Sequence, residues 1–313
     1  MFKGLAELIV MDANTREEFV EKCKPGGEYD GVVAVYRRNF SALRIGNFDR
    51  GLIESLPKSV RWIAHVGAGY DKVDVQACID RGITLSHTPH TPDDATATTA
   101  FFLMISAFRQ FSRAERNLRA GAWKGGLNPG DAHDLTGRTL AILGLGGIGM
   151  RLVELAHAFP MRIVYHNRRR RTDAPEWCEY YPEERLDEML GMADVLSISV
   201  PLRKETEGLV GEKMIRALKP GAILVNTARG RVVDEEAMLK ALEDGHLGGI
   251  GLDVFPDEPD VNPRLLAIPN ATLLPHVGTS TGDTLKKMEL MAFQNIHDFL
   301  TKGRGENVVP EMA

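Results

Sequence analysis

Three side chains with complementary chemistry stand just past apolar, β-prone runs. Arg229 follows Ala222–Asn226 in the segment Asn226-Thr227-Ala228-Arg229-Gly230. Glu258 closes Asp253-Val254-Phe255-Pro256-Asp257-Glu258-Pro259, and His276 sits in Pro275-His276-Val277-Gly278 after Thr272–Leu274. In open α/β sheets, ligand groups gather at the carboxyl ends of strands. A cation, a carboxylate and an imidazole delivered there suit reduction of a 2-oxo acid. That reaction needs positive charge on the carboxylate and carbonyl, and an acid to protonate the new alkoxide. Histidine titrates near neutral pH, and a neighbouring carboxylate orients it and favours its charged form. Taken singly, Arg229 also reads as a turn cap, Glu258 as a surface charge and His276 as a satisfied loop histidine. The specificity lies in the joint pattern.

A second constellation is Gly144-Leu145-Gly146-Gly147-Ile148-Gly149, between the β-prone run Thr139–Leu143 and a helical pattern over 149–159. A GxGxxG pattern alone is weak, but this context is the one a dinucleotide requires. One glycine permits the tight turn, the next admits the pyrophosphate to the backbone, and the third lets helix and strand pack. The helix start then offers free N–H groups and partial positive charge. The next strand, Arg162–His166, ends at Asn167, where an NAD site usually carries Asp or Glu, and Arg168-Arg169-Arg170-Arg171 follow. No carboxylate repels a 2′-phosphate there, and guanidiniums can grip one, so NADP(H) is the expected cofactor with NAD(H) as the lesser one. A solvated basic loop is the alternative reading of the run.

The elements that must position these groups alternate along the whole chain. Strands are expected over 31–36, 61–65, 83–86, 139–143, 162–166, 195–200, 222–226, 249–254 and 272–274. Helices are expected over 48–56, 73–80, 149–159, 186–192, 213–218, 234–245 and 283–302, with one long helix from about Asp94 to Ala120. This alternation signals open parallel α/β sheets, and two α/β domains in succession account for it most simply.

Bulk properties narrow the function classes. The chain has 313 residues, 43% hydrophobic and 26% charged, ordinary for a globular protein. Its net charge of −5 gives no reason to expect nucleic acid or an anionic membrane as partner. Cys23, Cys78 and Cys178 are odd in number and widely spaced, so a disulfide framework and a Cys-based zinc site are not expected, and a reducing compartment, the cytoplasm, is. The nine histidines show no metal-ligand spacing, and no metal is expected.

The glycine turn, Gly67-Ala68-Gly69-Tyr70-Asp71, Thr88-Pro89, Asn226 to Gly230, Glu258-Pro259 and Pro275-His276 occur in an order that resembles the D-isomer-specific 2-hydroxyacid dehydrogenase family over nearly the whole chain. Tyr165 to Arg168 and Thr91 to Arg109 add a narrower likeness to its NADP-using glyoxylate/hydroxypyruvate reductases and fungal 2-hydroxyacid dehydrogenases. The resemblance implies two Rossmann-like/flavodoxin-like open parallel sheet domains with an interdomain active-site cleft. Residues 1–103 would form part of the substrate domain, 104–282 the NAD(P)-binding domain, and 283–313 a helix returning to the first.

The same resemblance implies Arg229 as substrate-binding cation, His276 as acid/base and Glu258 as its partner. The backbone at Ala68 and Gly69 would hold the substrate carboxylate. Gly144, Gly146, Gly147, Ile148, Gly149, Asn167, Arg168, Arg169, Val200, Pro201, Thr206, Thr227, Ala228, Arg229, Asp253, His276, Gly278 and Thr279 would line the cofactor. It also implies a homodimer, with the Phe101-Phe102 helix and the Trp123 loop as candidate interface. The expected activity is reduction of a small 2-oxo acid, glyoxylate or hydroxypyruvate, to the D-2-hydroxy acid. Formate dehydrogenase and phosphoglycerate dehydrogenase are rival enzymes of similar sequence. An NAD-binding corepressor or a catalytically impaired relative on the same fold is the alternative outside catalysis. By the same resemblance, Leu8-Ile9-Val10 is expected to form the family's second strand, with the family's first strand and helix expected to be lacking or shortened.

Overall fold

The computed structural model describes residues 1–313, which form two compact units. The first comprises Met1–Pro92 with Thr281–Ala313, and the second Asp93–Ser280.

In the first unit β1 (Ala34–Arg38), β2 (Trp62–Val66) and β3 (Thr84–Ser86) form a parallel sheet in the order β1-β2-β3. All five residues of β2 are buried, because both faces are covered. Ile63 points into a core with Phe19, Phe48 and Leu52. Trp62, Ala64 and Val66 point the other way, onto Met288, Ala292 and Ile296 of the helix Gly282–Lys302. The short helices start where an aspartate satisfies a free N–H group: Asp49 accepts from Leu52, and Asp74 from Ala77.

The second unit has seven parallel strands: β4 (Thr139–Leu143), β5 (Arg162–His166), β6 (Cys178–Tyr181), β7 (Val195–Ile198), β8 (Ala222–Asn226), β9 (Leu247–Leu252) and β10 (Ala271–Leu273). Their order is β10-β9-β8-β7-β4-β5-β6. The winding reverses between β4 and β7, which is where such sheets leave a crevice at their carboxyl ends. Alternate residues of β4 serve opposite cores, Leu140 and Ile142 on one face, Ala141 and Leu143 on the other.

Against expected boundaries at 103 and 282, the chain passes between units at Pro92/Asp93 and Ser280/Thr281. The helix Asp93–Arg109 lies wholly in the second unit, where Gly251 of β9 lets it approach: a Cβ there would be 2.7 Å from Leu103 Cβ.

Two local expectations are corrected. The long helix does not reach Ala120 unbroken. It ends at Arg109 and restarts at Phe111, because Gln110 adopts a left-handed φ of 52° and its side-chain amide donates to the Asp131 carbonyl. Leu8-Ile9-Val10 is not a strand: Leu8 and Val10 are 70% and 80% exposed, and the sheet's ladder involves only β1, β2 and β3. Without a neighbouring strand, apolar β-prone residues have no ladder to join. The structure adds elements beyond those expected, among them the edge strand β6, whose Cys-Glu-Tyr-Tyr lacks a continuous apolar run, and the helix Arg16–Lys22, capped by Thr15.

Candidate active site

The glycine turn follows β4, and each glycine has a distinct physical reason. Gly144 has a φ of 96°, and a Cβ on it would lie 2.7 Å from Val200 Cγ1. Gly149 packs helix on strand, since its Cβ would meet the Gly144 carbonyl oxygen at 2.9 Å and Ile142 Cγ2 at 3.4 Å. Gly146 is different: a Cβ there would meet nothing within 4 Å. The space beside Gly146 is thus left open by the protein, at the start of the eleven-residue helix Gly147–His157. Gly147 and Ile148 form its first turn, where N–H groups lack helical partners. Gly147 also admits the Asp93 carboxylate, whose Oδ2 would be 2.0 Å from a Cβ there. Open space against a helix start fits a pyrophosphate. Val200 and Pro201 follow β7 across the point where strand order reverses, and Thr206 folds the next turn by donating to the Pro201 carbonyl at 2.7 Å.

Asn167 stands where an NAD site's carboxylate is expected. Its Oδ1 accepts from Leu145 N at 2.6 Å and its amide donates to Leu145 O at 3.3 Å, bracing the glycine turn. Arg171 also reaches Leu145 O, and pairs with Asp173. Arg168 and Arg169 are exposed.

The acid/base candidates follow the adjacent strands β9 and β10, and Arg229 follows β8 beside them. His276 Nδ1 lies 2.7 Å from Glu258 Oε2, although 18 residues separate them in the chain. The other carboxylate oxygen, Oε1, accepts from Phe255 N at 3.1 Å, which fixes the carboxylate toward the ring. His276 is held in a left-handed conformation, φ 53°. The device that holds it is Asp253, 2% exposed, whose oxygens accept from Val277 N at 2.7 Å and Gly278 N at 2.8 Å. Burial pushes the Asp253 carboxyl above the usual range, and those two N–H groups oppose it. Gly278 has no alternative there, because a Cβ would be 2.7 Å from Asp253 Oδ2. Thr279 continues this loop.

Arg229 is set by Asn226, which is 1% exposed. Asn226 Nδ2 donates to Arg229 O and its Oδ1 accepts from Ala228 N, both at 2.9 Å, shaping the turn through buried Thr227 and half-buried Ala228. Gly230 then lies against the loop that carries Glu258: a Cβ on it would be 2.0 Å from the Phe255 carbonyl carbon. The second unit therefore gathers the segments bearing Arg229, Glu258 and His276. The bracing roles of Asn226 and Asp253 are not visible in spacing, although both residues lie in the segments that spacing singles out.

In the first unit Ala68 and Gly69 lie on the loop after β2. Gly67 N donates to Thr88 Oγ1 at 2.9 Å and Gly67 O accepts from Thr88 N at 3.0 Å. His87 Nδ1 is 2.9 Å from Ala68 O, and His65 Nε2 is 2.9 Å from Gly69 O. The loop's carbonyls are thus engaged, while the Ala68 and Gly69 N–H groups enter none of these bonds. Burial lowers the His87 imidazole from its ordinary value, so its neutral form donates to Ala68 O.

Residues 101–278 match the family model of the D-isomer specific 2-hydroxyacid dehydrogenase NAD-binding domain. This chain belongs to that family. It is an NAD(P)-dependent oxidoreductase acting on the CH–OH group of 2-hydroxy acids. It is 44% identical over 308 residues to 4-methyl-2-oxopentanoate reductase A of Aspergillus oryzae, covering 98% of this chain and 92% of the relative. Among solved structures, a glyoxylate reductase from Paecilomyes thermophila superposes with a TM-score of 0.94 at 44% identity, over 100% of this chain and 94% of that one. An NADPH-dependent glyoxylate/hydroxypyruvate reductase from Sinorhizobium meliloti, solved with NADP and malonate, gives 0.81 at 33% identity, over 90% and 84%. The family and the two-unit parallel α/β architecture agree with the expectation from sequence. No helix is long and apolar enough to cross a membrane.

Proposed function

We propose that the chain uses NADPH to reduce a small 2-oxo acid of the glyoxylate/hydroxypyruvate class to the D-2-hydroxy acid. The observation that carries the proton-transfer part is the 2.7 Å contact of His276 with Glu258, placed one loop from Asp253. With Nδ1–H donated to Glu258, Nε2 of His276 is the atom that gives the proton to the developing alkoxide, and Glu258 stabilises the ring while it is charged. Arg229 binds the substrate carboxylate and polarises the carbonyl oxygen, lowering the energy of the negative charge that grows there. The Ala68 and Gly69 N–H groups, left over when the loop's carbonyls are bonded, hold the carboxylate. The nicotinamide cofactor supplies the hydride. The open approach at Gly146 and the first turn after it bind its pyrophosphate. Arg168 and Arg169, exposed and beyond the last residue of β5, take the 2′-phosphate, a choice supported by the absence of a carboxylate at Asn167.

A second reading of the substrate is a bulkier 2-oxo acid, favoured by the likeness to the 4-methyl-2-oxopentanoate reductase. The test is turnover of purified protein with glyoxylate, hydroxypyruvate, pyruvate and 4-methyl-2-oxopentanoate, each with NADPH and with NADH. The proposal expects the highest kcat/KM for glyoxylate or hydroxypyruvate with NADPH. A preference for 4-methyl-2-oxopentanoate selects the second reading, and equal use of NADH rejects the 2′-phosphate assignment. Replacing Arg168 and Arg169 together with serine should weaken NADPH binding far more than NADH binding.

A further inference from the structure

The substrate loop of the first unit rests on a buried cation that the reaction scheme does not use. Arg37, at the carboxyl end of β1, is 1% exposed and stacks over the Phe48 ring at 4.9 Å. Its Nη1 is 2.8 Å from His65 Nδ1, while Nε and Nη2 have no hydrogen-bond partner. A guanidinium only donates, so His65 Nδ1 is the acceptor and the ring's proton is on Nε2. That N–H then donates to Gly69 O at 2.9 Å. The loop also lies directly on the ring, because a Cβ on Gly67 would be 2.8 Å from His65 Nε2. His65 itself is fully buried. A charged side chain with two unsatisfied donors is expensive to bury, so stability alone gives poor reason for it.

We infer that Arg37 and His65 are positioning residues for substrate binding, Arg37 fixing the His65 tautomer and His65 fixing Gly69, so that the Ala68 and Gly69 N–H groups are preset for a substrate carboxylate. This rests on the assignment of those N–H groups to the substrate proposed above. The pair acts on the carboxylate common to all 2-oxo acids and not on the part that distinguishes them. Its loss therefore weakens every substrate alike.

The test compares wild type with Arg37→Met, which removes the donor to the ring, and His65→Leu, which removes the donor to Gly69. The substrate is whichever of the four 2-oxo acids the wild type reduces best. The expected result is a KM raised tenfold or more in both variants, with kcat within threefold and NADPH Kd within threefold. His65→Gln, which offers one amide donor and one acceptor, should bring KM back to within threefold of wild type. A purely structural pair would lower Tm and leave KM unmoved. A KM rise below tenfold, or a loss confined to kcat, overturns the inference. If His65→Leu does not fold, Arg37→Lys and His65→Gln carry the comparison, with the lysine, a point donor without the planar fork, expected to raise KM by the same criterion. A wild type that reduces no 2-oxo acid overturns the functional reading and this inference with it. A wild type that reduces them while the variants keep its KM overturns the inference alone.

Discussion

Gly146→Ala and Gly149→Ala should separate binding from folding within one turn. At Gly146 the backbone, φ −90° and ψ −160°, is open to alanine, and the added Cβ meets no protein atom within 4 Å. The fold should tolerate it to within about 0.5 kcal/mol. A pyrophosphate approaching that same space meets the methyl. Losing one charge-assisted N–H···phosphate bond costs about 1.5–3 kcal/mol, which is roughly a 10- to 150-fold rise in the Kd for NADPH. At Gly149 the methyl faces inward, 2.9 Å from the Gly144 carbonyl oxygen, and something must move. Overpacking costs about 1–3 kcal/mol, offset by up to ~1 kcal/mol of helix propensity. The net, up to about 2 kcal/mol, lowers Tm by up to roughly 8 °C for a unit of this size. Thermal unfolding and titration of NADPH by fluorescence read both quantities on the same samples. If Gly146→Ala binds NADPH within threefold of wild type, the open space is not the phosphate seat and the reasoning fails.

Other consequences follow from the acid/base loops and the substrate loop. Arg229→Ala and His276→Ala should each lower kcat/KM by about 10²–10⁴-fold while NADPH binding stays within a few-fold; near-normal turnover in either would sink the assigned role. Asp253→Ala strands the Val277 and Gly278 N–H groups, at about 1–3 kcal/mol each, so Tm and turnover should fall together, and an unchanged Tm with full activity would contradict its bracing role. His87 has a folded value below its unfolded value of 6.5, so at acid pH the unfolded chain binds a proton that the folded one resists. Its contribution is constant above that value and is lost as pH falls through it toward the folded value. Tm measured from pH 8 to 5 should therefore drop less steeply in His87→Gln than in wild type, and parallel curves would refute this.

The glycine turn was legible in sequence because its requirements are local: a strand, a sharp turn, a helix start, and small residues at three fixed offsets. The parallel α/β class was legible for a similar reason, since buried strands read as continuous apolar runs. Leu8-Ile9-Val10 carries the same signal and forms no strand, because a ladder needs a neighbour and not only a propensity. Cys178–Tyr181 forms β6 without the signal, since an edge position needs cover on fewer sides. Gln110 breaks a helix that periodicity would continue, for the sake of a bond to Asp131 O.

Arg229, Glu258 and His276 could be picked out by residue type and by their places after strands. Only the sheet order β10-β9-β8 decides that Glu258 and His276 meet, 18 residues apart, at 2.7 Å. The supporting groups depend on tertiary structure altogether. Asp253 under the His276 loop, Asn226 inside the Arg229 turn and Arg37 behind His65 are ordinary polar residues in the chain. They gain their roles where burial removes water and the fold sets one partner against the groups that act: Val277 and Gly278 N–H for Asp253, Ala228 N and Arg229 O for Asn226, and His65 Nδ1 for Arg37 Nη1.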